Sequence, residues 1–173
     1  KIHSLLILKD DQVALEKYFR GYGPTTPHTL QSVTKSVTSA LIGIALQKGI
    51  IASTEETILR FFPQYATLYH MNDWKRSICI QDILTMRTGV DYNENGSGSP
   101  HEQLNALSSG WDLFYLNRPT LFAPGTVFNY DSGGVILLSA ILRSAGGQHA
   151  DALADQYLFP QLGITQGRWI KNA

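Results

Sequence analysis

A serine and a lysine stand three residues apart, as Ser32 and Lys35, at the start of a segment with helical hydrophobic spacing. In a helix, residues i and i+3 lie on the same face, so the two side chains can touch. A lysine enclosed by apolar side chains gives up its proton more readily, and the free amine can then take the proton of a neighbouring hydroxyl. A helix N-terminus also favours a developing negative charge. The pair therefore predicts a serine nucleophile with a lysine base.

Both residues also have simpler interpretations. Ser32 is a good N-cap residue, and Lys35 could extend its ammonium group into solvent. Because Ser-x-x-Lys is a short pattern, it leaves the catalytic and the structural interpretations open on its own.

The helix that must position this pair runs from Gln31 to Gly49 in the sequence. Apolar residues recur along it at helical intervals and also occupy its other faces, which predicts a helix buried nearly all round. Gly49 is a typical C-terminal stop, and Lys48 lies in the last turn, where the helix dipole favours a cation. We therefore expect a buried central helix with one charged residue, Lys35, in its first turn.

Two strands precede this helix, over residues 4–8 and 12–19, with a polar turn between them. A two-stranded hairpin is marginal by itself, and no strand pattern returns later in the sequence. We therefore expect the remaining strands of the sheet to lie outside these 173 residues. The capping box Ser53–Glu56 predicts a short helix that ends at Pro63. Further helices are predicted over residues 77–89, 101–108, 111–117, 132–145 and 148–159, which makes the chain α+β.

A second short motif, Tyr130-Asp-Ser132, precedes the helix predicted from residue 132. Together with Ser32-Val-Thr-Lys35, it resembles the serine β-lactamase and penicillin-binding-protein superfamily, and most closely its class C-like esterases, peptidases and amide hydrolases. The resemblance covers almost the whole chain. Three further segments also fit the family pattern: Ile80-Gln-Asp-Ile-Leu-Thr-Met-Arg-Thr-Gly89, Pro124-Gly125 and Phe159-Pro-Gln-Leu-Gly-Ile164.

The resemblance implies a β-lactamase-like serine hydrolase fold that lacks its C-terminal sheet strands. Residues 1–173 would then form a partial domain, with a hairpin over residues 1–20 and a helical region over residues 28–165 that carries the first two motifs. The family's third motif, on a C-terminal strand that forms one wall of the site, does not occur in the chain.

For the site, the resemblance implies an acyl-enzyme mechanism on ester, amide or β-lactam bonds. Ser32 would be the nucleophile, Lys35 and Tyr130 would share the role of base, and Ser132 would bind substrate. Tyr130 could instead be a core aromatic residue, and Ser132 could be an N-cap. Since classical class C lactamases carry asparagine where this chain has Ser132, the sequence favours the esterase and amidase branch.

Composition excludes several other classes of function. The formal net charge is zero and the charges are interspersed, so neither a nucleic-acid partner nor a charged membrane surface is indicated. No apolar run is long enough for a membrane span. With one cysteine and scattered histidines, the sequence predicts no metal site and no cofactor. The expected partners are a small-molecule substrate and a segment that completes the sheet.

For the compartment, the resemblance implies a periplasmic or secreted protein. A different class of function stays open beside the enzyme. The chain could be a non-catalytic, truncated ligand-binding or interaction module whose hairpin pairs with another chain.

Overall fold

The computed structural model describes residues 2–65, 67–165, 167 and 169. The chain divides between Gln31 and Ser32 into two compact units. The first unit holds an antiparallel two-stranded sheet and the second holds seven α-helices within the described residues. The predicted α+β class is therefore confirmed.

The hairpin of the first unit consists of β1, Ser4–Lys9, and β2, Gln12–Tyr18. Asp10 and Asp11 connect the strands with φ angles of 51° and 61°, as a two-residue hairpin turn requires. A register shift after Ile7 leaves Ala14 as an extra residue in β2. Apolar side chains on both strands are exposed, namely Leu5, Leu6, Ile7, Leu8 and Val13.

A 3₁₀ turn, Gln31–Val33, spans the boundary between the units in the sequence and leads into α1, Thr34–Gln47. Gly49 follows the helix with a φ of 69° and ends it as predicted. The prediction of a helix buried nearly all round is wrong. One face of α1 is buried, through Thr38, Leu41, Ile42 and Ala45, whereas the opposite face is exposed and carries Ser36, Ser39, Ala40, Gly43 and Gln47. The small side chains of that face lose little by contact with water.

Six further helices follow α1. They are α2, Asp73–Ser77; α3, Ile80–Leu84; α4, Pro100–Asn105; α5, Trp111–Leu116; α6, Ser132–Gly146; and α7, Ala150–Tyr157. α6 lies at the centre of the unit, because α1, α3, α4, α5 and α7 all pack against it. The core is formed around its buried leucines and isoleucine, Leu137, Leu138, Ile141 and Leu142.

Two of the predicted helices differ in the structure. After the capping box, the chain forms only a 3₁₀ turn, Ile58–Phe61, in place of the predicted helix. Thr57 pairs instead with Cys79 in an isolated β-bridge. The helix predicted over residues 77–89 is also wrong, since α2 and α3 are separate and α3 ends at Leu84. Beyond it, Met86 has a φ of 55° and its carbonyl accepts a hydrogen bond of 2.9 Å from the Asn129 N–H. This bond links the end of α3 to the segment that precedes α6.

Candidate active site

Ser32 and Lys35 contact each other at the start of α1. The Nζ atom of Lys35 donates a hydrogen bond of 3.0 Å to the Oγ atom of Ser32. The N-cap position of α1 is Val33, and no side chain caps the helix, so Ser32 is not the cap. Lys35 is half-buried rather than enclosed as predicted, because the adjoining face of α1 is open. The predicted proximity of hydroxyl and amine is thus present, and it lies close to solvent.

The backbone just before Ser32 adopts an unusual conformation. Gln31 has a φ of 49°, in the left-handed region that residues with a side chain rarely occupy. The chain then enters the 3₁₀ turn that contains Ser32, whose side chain is exposed. Such conformations cost free energy and cluster at functional sites, where surrounding structure maintains them. The turn therefore presents the Ser32 hydroxyl at the surface of the second unit.

Tyr130 lies next to this pair, although it is almost a hundred residues away in the sequence. The Lys35 Nζ atom is 4.9 Å from the centroid of the Tyr130 ring. Hydrogen bonding from Ser32, and then from Lys35, lowers the pKa of the Tyr130 phenol from its ordinary value. The side chain is 41% exposed, which argues against the alternative of a core aromatic residue. Ser32, Lys35 and Tyr130 thus form one cluster.

Ser132 is placed two residues beyond Tyr130, at the first position of α6, and is half-buried. The N-cap of α6 is Asp131, so the interpretation of Ser132 as the cap is wrong. The backbone N–H of Ser132 donates to the carboxylate of Glu94. Among the described residues, no hydrogen bond joins the Ser132 hydroxyl to Lys35.

Two carboxylates that the sequence did not single out border the cluster. Glu94 belongs to the loop before α4, and its charge raises the pKa of Tyr130 against the effect of the two hydrogen bonds. Asp131 is 3% exposed, and burial raises its pKa to about 6. The pattern Asp-Ser-Gly-Gly at the start of a helix is an N-cap signal that could have identified Asp131. No pattern in the sequence indicates Glu94.

The cluster has the parts of an activated nucleophile: a hydroxyl, a cationic donor to that hydroxyl, and a phenol of lowered pKa beside both.

Across the residues that the structure describes, no group of three or more histidine, cysteine, aspartate or glutamate side chains could hold a metal ion. None of the described helices is long and apolar enough to cross a membrane.

Comparison with known proteins identifies the family of the chain. The model of the Beta-lactamase family matches residues 3–171. The 6-aminohexanoate-dimer hydrolase of Paenarthrobacter ureafaciens is 27% identical in an alignment of 171 residues, which covers 92% of this chain and 42% of that protein.

Solved structures share the fold. A provisionally named beta-lactamase from Bacteroides dorei DSM 17855 superposes with a TM-score of 0.75 at 22% identity, over 94% of this chain and 46% of that one. The octameric penicillin-binding protein homologue of Pyrococcus abyssi gives a TM-score of 0.70 at 21% identity, over 97% and 40% of the two chains. This chain therefore spans less than half the length of these relatives. With the family model matched along almost its whole length, the chain belongs to the beta-lactamase family, which confirms the resemblance carried by its two motifs.

Proposed function

We propose that this chain carries the nucleophile and the base of a serine hydrolase that forms an acyl-enzyme with ester, amide or β-lactam substrates. The observation that supports the proposal best is the contact of three side chains from two distant segments. Lys35 donates to the Ser32 hydroxyl, and its Nζ atom lies 4.9 Å from the centroid of the Tyr130 ring. Hydrogen bonding from Ser32, and then from Lys35, lowers the pKa of the Tyr130 phenol. A merely structural serine, lysine and tyrosine need not converge in this way.

In the proposed reaction, the Ser32 Oγ atom attacks the carbonyl carbon of the substrate, and its proton passes to the oxygen of Tyr130. Lys35, cationic beside the phenolate, stabilises the negative charge on Tyr130 before that transfer. The proton then goes to the leaving group as the bond to the carbonyl carbon breaks. Water afterwards hydrolyses the acyl-Ser32 ester by the same proton route in reverse order.

The proposal also includes a segment that completes the sheet. The Ser32 backbone N–H would supply one donor to the oxyanion, and a further strand would supply the second. The apolar side chains exposed on β1 and β2, and the coverage of less than half of each relative, support such a segment. Residues 1–20 and 28–165 would then be parts of a single β-lactamase-like domain.

For substrates, we propose small esters or amides ahead of β-lactams. Ser132 occupies the position where classical class C lactamases have asparagine, and one relative described above is named as a hydrolase of the 6-aminohexanoate dimer. Ser132 is proposed to contact the substrate, because it lies two residues after Tyr130 at the first position of α6.

A fluorophosphonate probe tests the nucleophile directly. The protein expressed from its complete gene is incubated with the probe, and the modified residue is identified by peptide mass spectrometry. We expect a single adduct on Ser32, lost in Ser32→Ala and retained in Ser39→Ala, an exposed serine of the same helix that serves as the matched control. An adduct at another serine, or labelling that survives Ser32→Ala, would contradict the assignment.

The same assay separates the enzyme from the alternative. A non-catalytic ligand-binding or interaction module would leave Ser32 unmodified in the complete protein. In that case the exposed hairpin would be the functional element, as an edge for another chain.

A further inference from the structure

The strongest unassigned feature near the cluster is a buried carboxylate placed directly after one of its members. Asp131 directly follows Tyr130 and directly precedes Ser132. Its backbone is extended, with φ −139° and ψ 95°, so neighbouring side chains point in opposite directions. Tyr130 accordingly points outward and is 41% exposed, whereas Asp131 points inward and is 3% exposed.

The carboxylate of Asp131 joins three separate parts of the second unit. Its Oδ1 atom accepts a hydrogen bond of 2.8 Å from the Gly134 N–H in the first turn of α6. Its Oδ2 atom accepts hydrogen bonds from the hydroxyl of Tyr115 on α5 and, at 3.5 Å, from Thr88 beyond the end of α3. The Tyr115 and Thr88 oxygens are themselves 3.1 Å apart, which closes the network.

Little free space surrounds this network. A Cβ atom on Gly133 would lie 2.6 Å from ring atoms of both Tyr92 and Tyr115, and one on Gly134 would lie 3.2 Å from Asp131 Oδ2. Tyr92 and Tyr115 are 2% and 0% exposed. The start of α6 is therefore held tightly against two buried rings, directly after the segment that carries Tyr130.

We propose that Asp131 is a positioning residue for acyl transfer, whose ionised carboxylate holds the Tyr130 phenol in register with Ser32 and Lys35. The inference rests on the proposed function. Protonation of Asp131 replaces an acceptor by a neutral acid and weakens its charge-assisted bonds to Tyr115 and Gly134. Tyr130 then loses its fixed place, so the acylation of Ser32 slows.

Burial and four neighbouring groups set the pH at which this happens. Burial raises the pKa of Asp131 to about 6, and the charge of Glu94 also raises it, while the bonds from Tyr115 and from the backbone of Gly134 and Gly133 lower it. Burial and the charge of Asp131 raise the pKa of Tyr115 well above 10, so Tyr115 remains a donor throughout the relevant range. We therefore expect the rate of Ser32 acylation to fall as the pH drops through about 6.

The test measures fluorophosphonate acylation of Ser32 as kinact and KI from pH 4.5 to 8.5 in the complete protein. Asp131→Asn imitates the protonated carboxyl, so we expect kinact to be roughly 10–100-fold lower at pH 7.5, with KI unchanged. The decrease of kinact as the pH drops through about 6, which is the acid limb of the profile, should disappear in this variant. Tyr115→Phe keeps the ring and removes the bond that lowers the pKa of Asp131, so its acid limb should move to higher pH.

The control is Asn72→Ala, which removes the N-cap of α2 and should lower the melting temperature without changing the limb. Wild-type kinact and an unmoved acid limb in both folded variants would overturn the inference while Ser32 labelling sustains the proposed function. If Asp131→Asn does not fold, the acid limb of Tyr115→Phe decides: a move to higher pH supports the inference, and an unmoved limb overturns it. Absence of Ser32 labelling in the parent protein would overturn the proposed function and this inference together.

Discussion

The backbone N–H of Ser132 donates a hydrogen bond to the carboxylate of Glu94, which lies 38 residues earlier in the chain. This bond ties the loop before α4 to the first residue of α6. It also brings a negative charge close to Tyr130 and Asp131, since Glu94 raises the pKa of both groups. The loop therefore contributes to the electrostatics of the cluster as well as to its shape.

Replacement of Glu94 by glutamine should shift the pH dependence of acylation. Glu94→Gln keeps an oxygen acceptor for the Ser132 N–H and removes the charge, so the pKa values of Tyr130 and Asp131 both fall. The rise of the Ser32 labelling rate with pH should therefore occur at lower pH than in the parent protein. The same measurement on Glu55→Gln, an exposed carboxylate, should reproduce the parent profile. A Glu94→Gln profile that coincides with it would contradict the role given to Glu94.

Removal of the Tyr130 hydroxyl should slow acylation strongly. Because Tyr130→Phe deletes the proposed proton acceptor, we expect the rate of Ser32 labelling to fall by about 10²–10⁴-fold, the usual contribution of a general base. Tyr69→Phe, at a tyrosine that is 90% exposed, provides the matched control and should label at the parent rate. A loss of less than about threefold in Tyr130→Phe would assign the base role to Lys35 alone.

Gly133 should tolerate no side chain. In Gly133→Ala, the added Cβ atom would lie 2.6 Å from atoms of the buried Tyr92 and Tyr115 rings, which must then shift. We expect the free energy of unfolding to fall by about 1–3 kcal/mol in urea denaturation. Gly43→Ala, in the exposed face of α1 with no atom within 4 Å of the new Cβ, should instead raise it by about 0.5–1 kcal/mol. Equal effects of the two substitutions would show that the start of α6 is loosely packed.

Lys75 should make stability depend on pH in the alkaline range. Its side chain is 1% exposed, and its Nζ atom donates to the carbonyl oxygens of Leu116, at 2.8 Å, and Arg118. Burial, together with the charge of Arg118, lowers the pKa of Lys75 from 10.5 to about 8. Between these values the unfolded chain binds more protons than the folded one, so the free energy of unfolding should rise with pH by up to about 1.4 kcal/mol per unit.

Urea denaturation between pH 7.5 and 9.5 measures this slope. In Lys75→Met, the free energy of unfolding should no longer rise with pH over this range. In Lys17→Met, which changes an exposed lysine of β2, the rise should remain. The range stops below pH 10, because buried tyrosines such as Tyr115 begin to oppose the trend where unfolded tyrosine ionises. A slope that is the same in Lys75→Met and in the parent would assign the pH dependence to other groups.

The parts of the fold set by local chemistry were predictable from the sequence. The polar pair Asp10 and Asp11 predicted the hairpin turn, and Gly49 predicted the end of α1. Helical spacing alone predicted the contact of Ser32 with Lys35, because residues i and i+3 share a face. Tyr130 required the family resemblance, since nothing in its neighbourhood indicates a partner almost a hundred residues away.

Tertiary contacts account for what the sequence could not predict. The helix expected through Gly89 ends at Leu84, and Gly89 itself has a φ of 73°, with its Cβ position only 2.0 Å from the Phe122 carbonyl oxygen. The close approach of that backbone decides the local conformation, and no spacing rule contains it. Likewise, the burial of Lys75 in the core and the position of Glu94 near Tyr130 depend on which segments contact each other in the folded chain. The pattern of α1 predicts burial nearly all round because Ile42, Ala45 and Leu46 add apolar residues beside its main stripe, whereas the serine, alanine and glycine residues of its open face do not need enclosure.

The ribbon formed by β1 and β2 has a practical consequence for anyone who prepares these 173 residues alone. Leucine, isoleucine and valine side chains emerge from it into water, and neither strand has an outer neighbour among the described residues. Unpaired strand edges of this composition readily join the same edges of other molecules. We therefore expect a concentrated solution to aggregate and scatter light. Leu6→Lys or Leu8→Lys should prevent this aggregation.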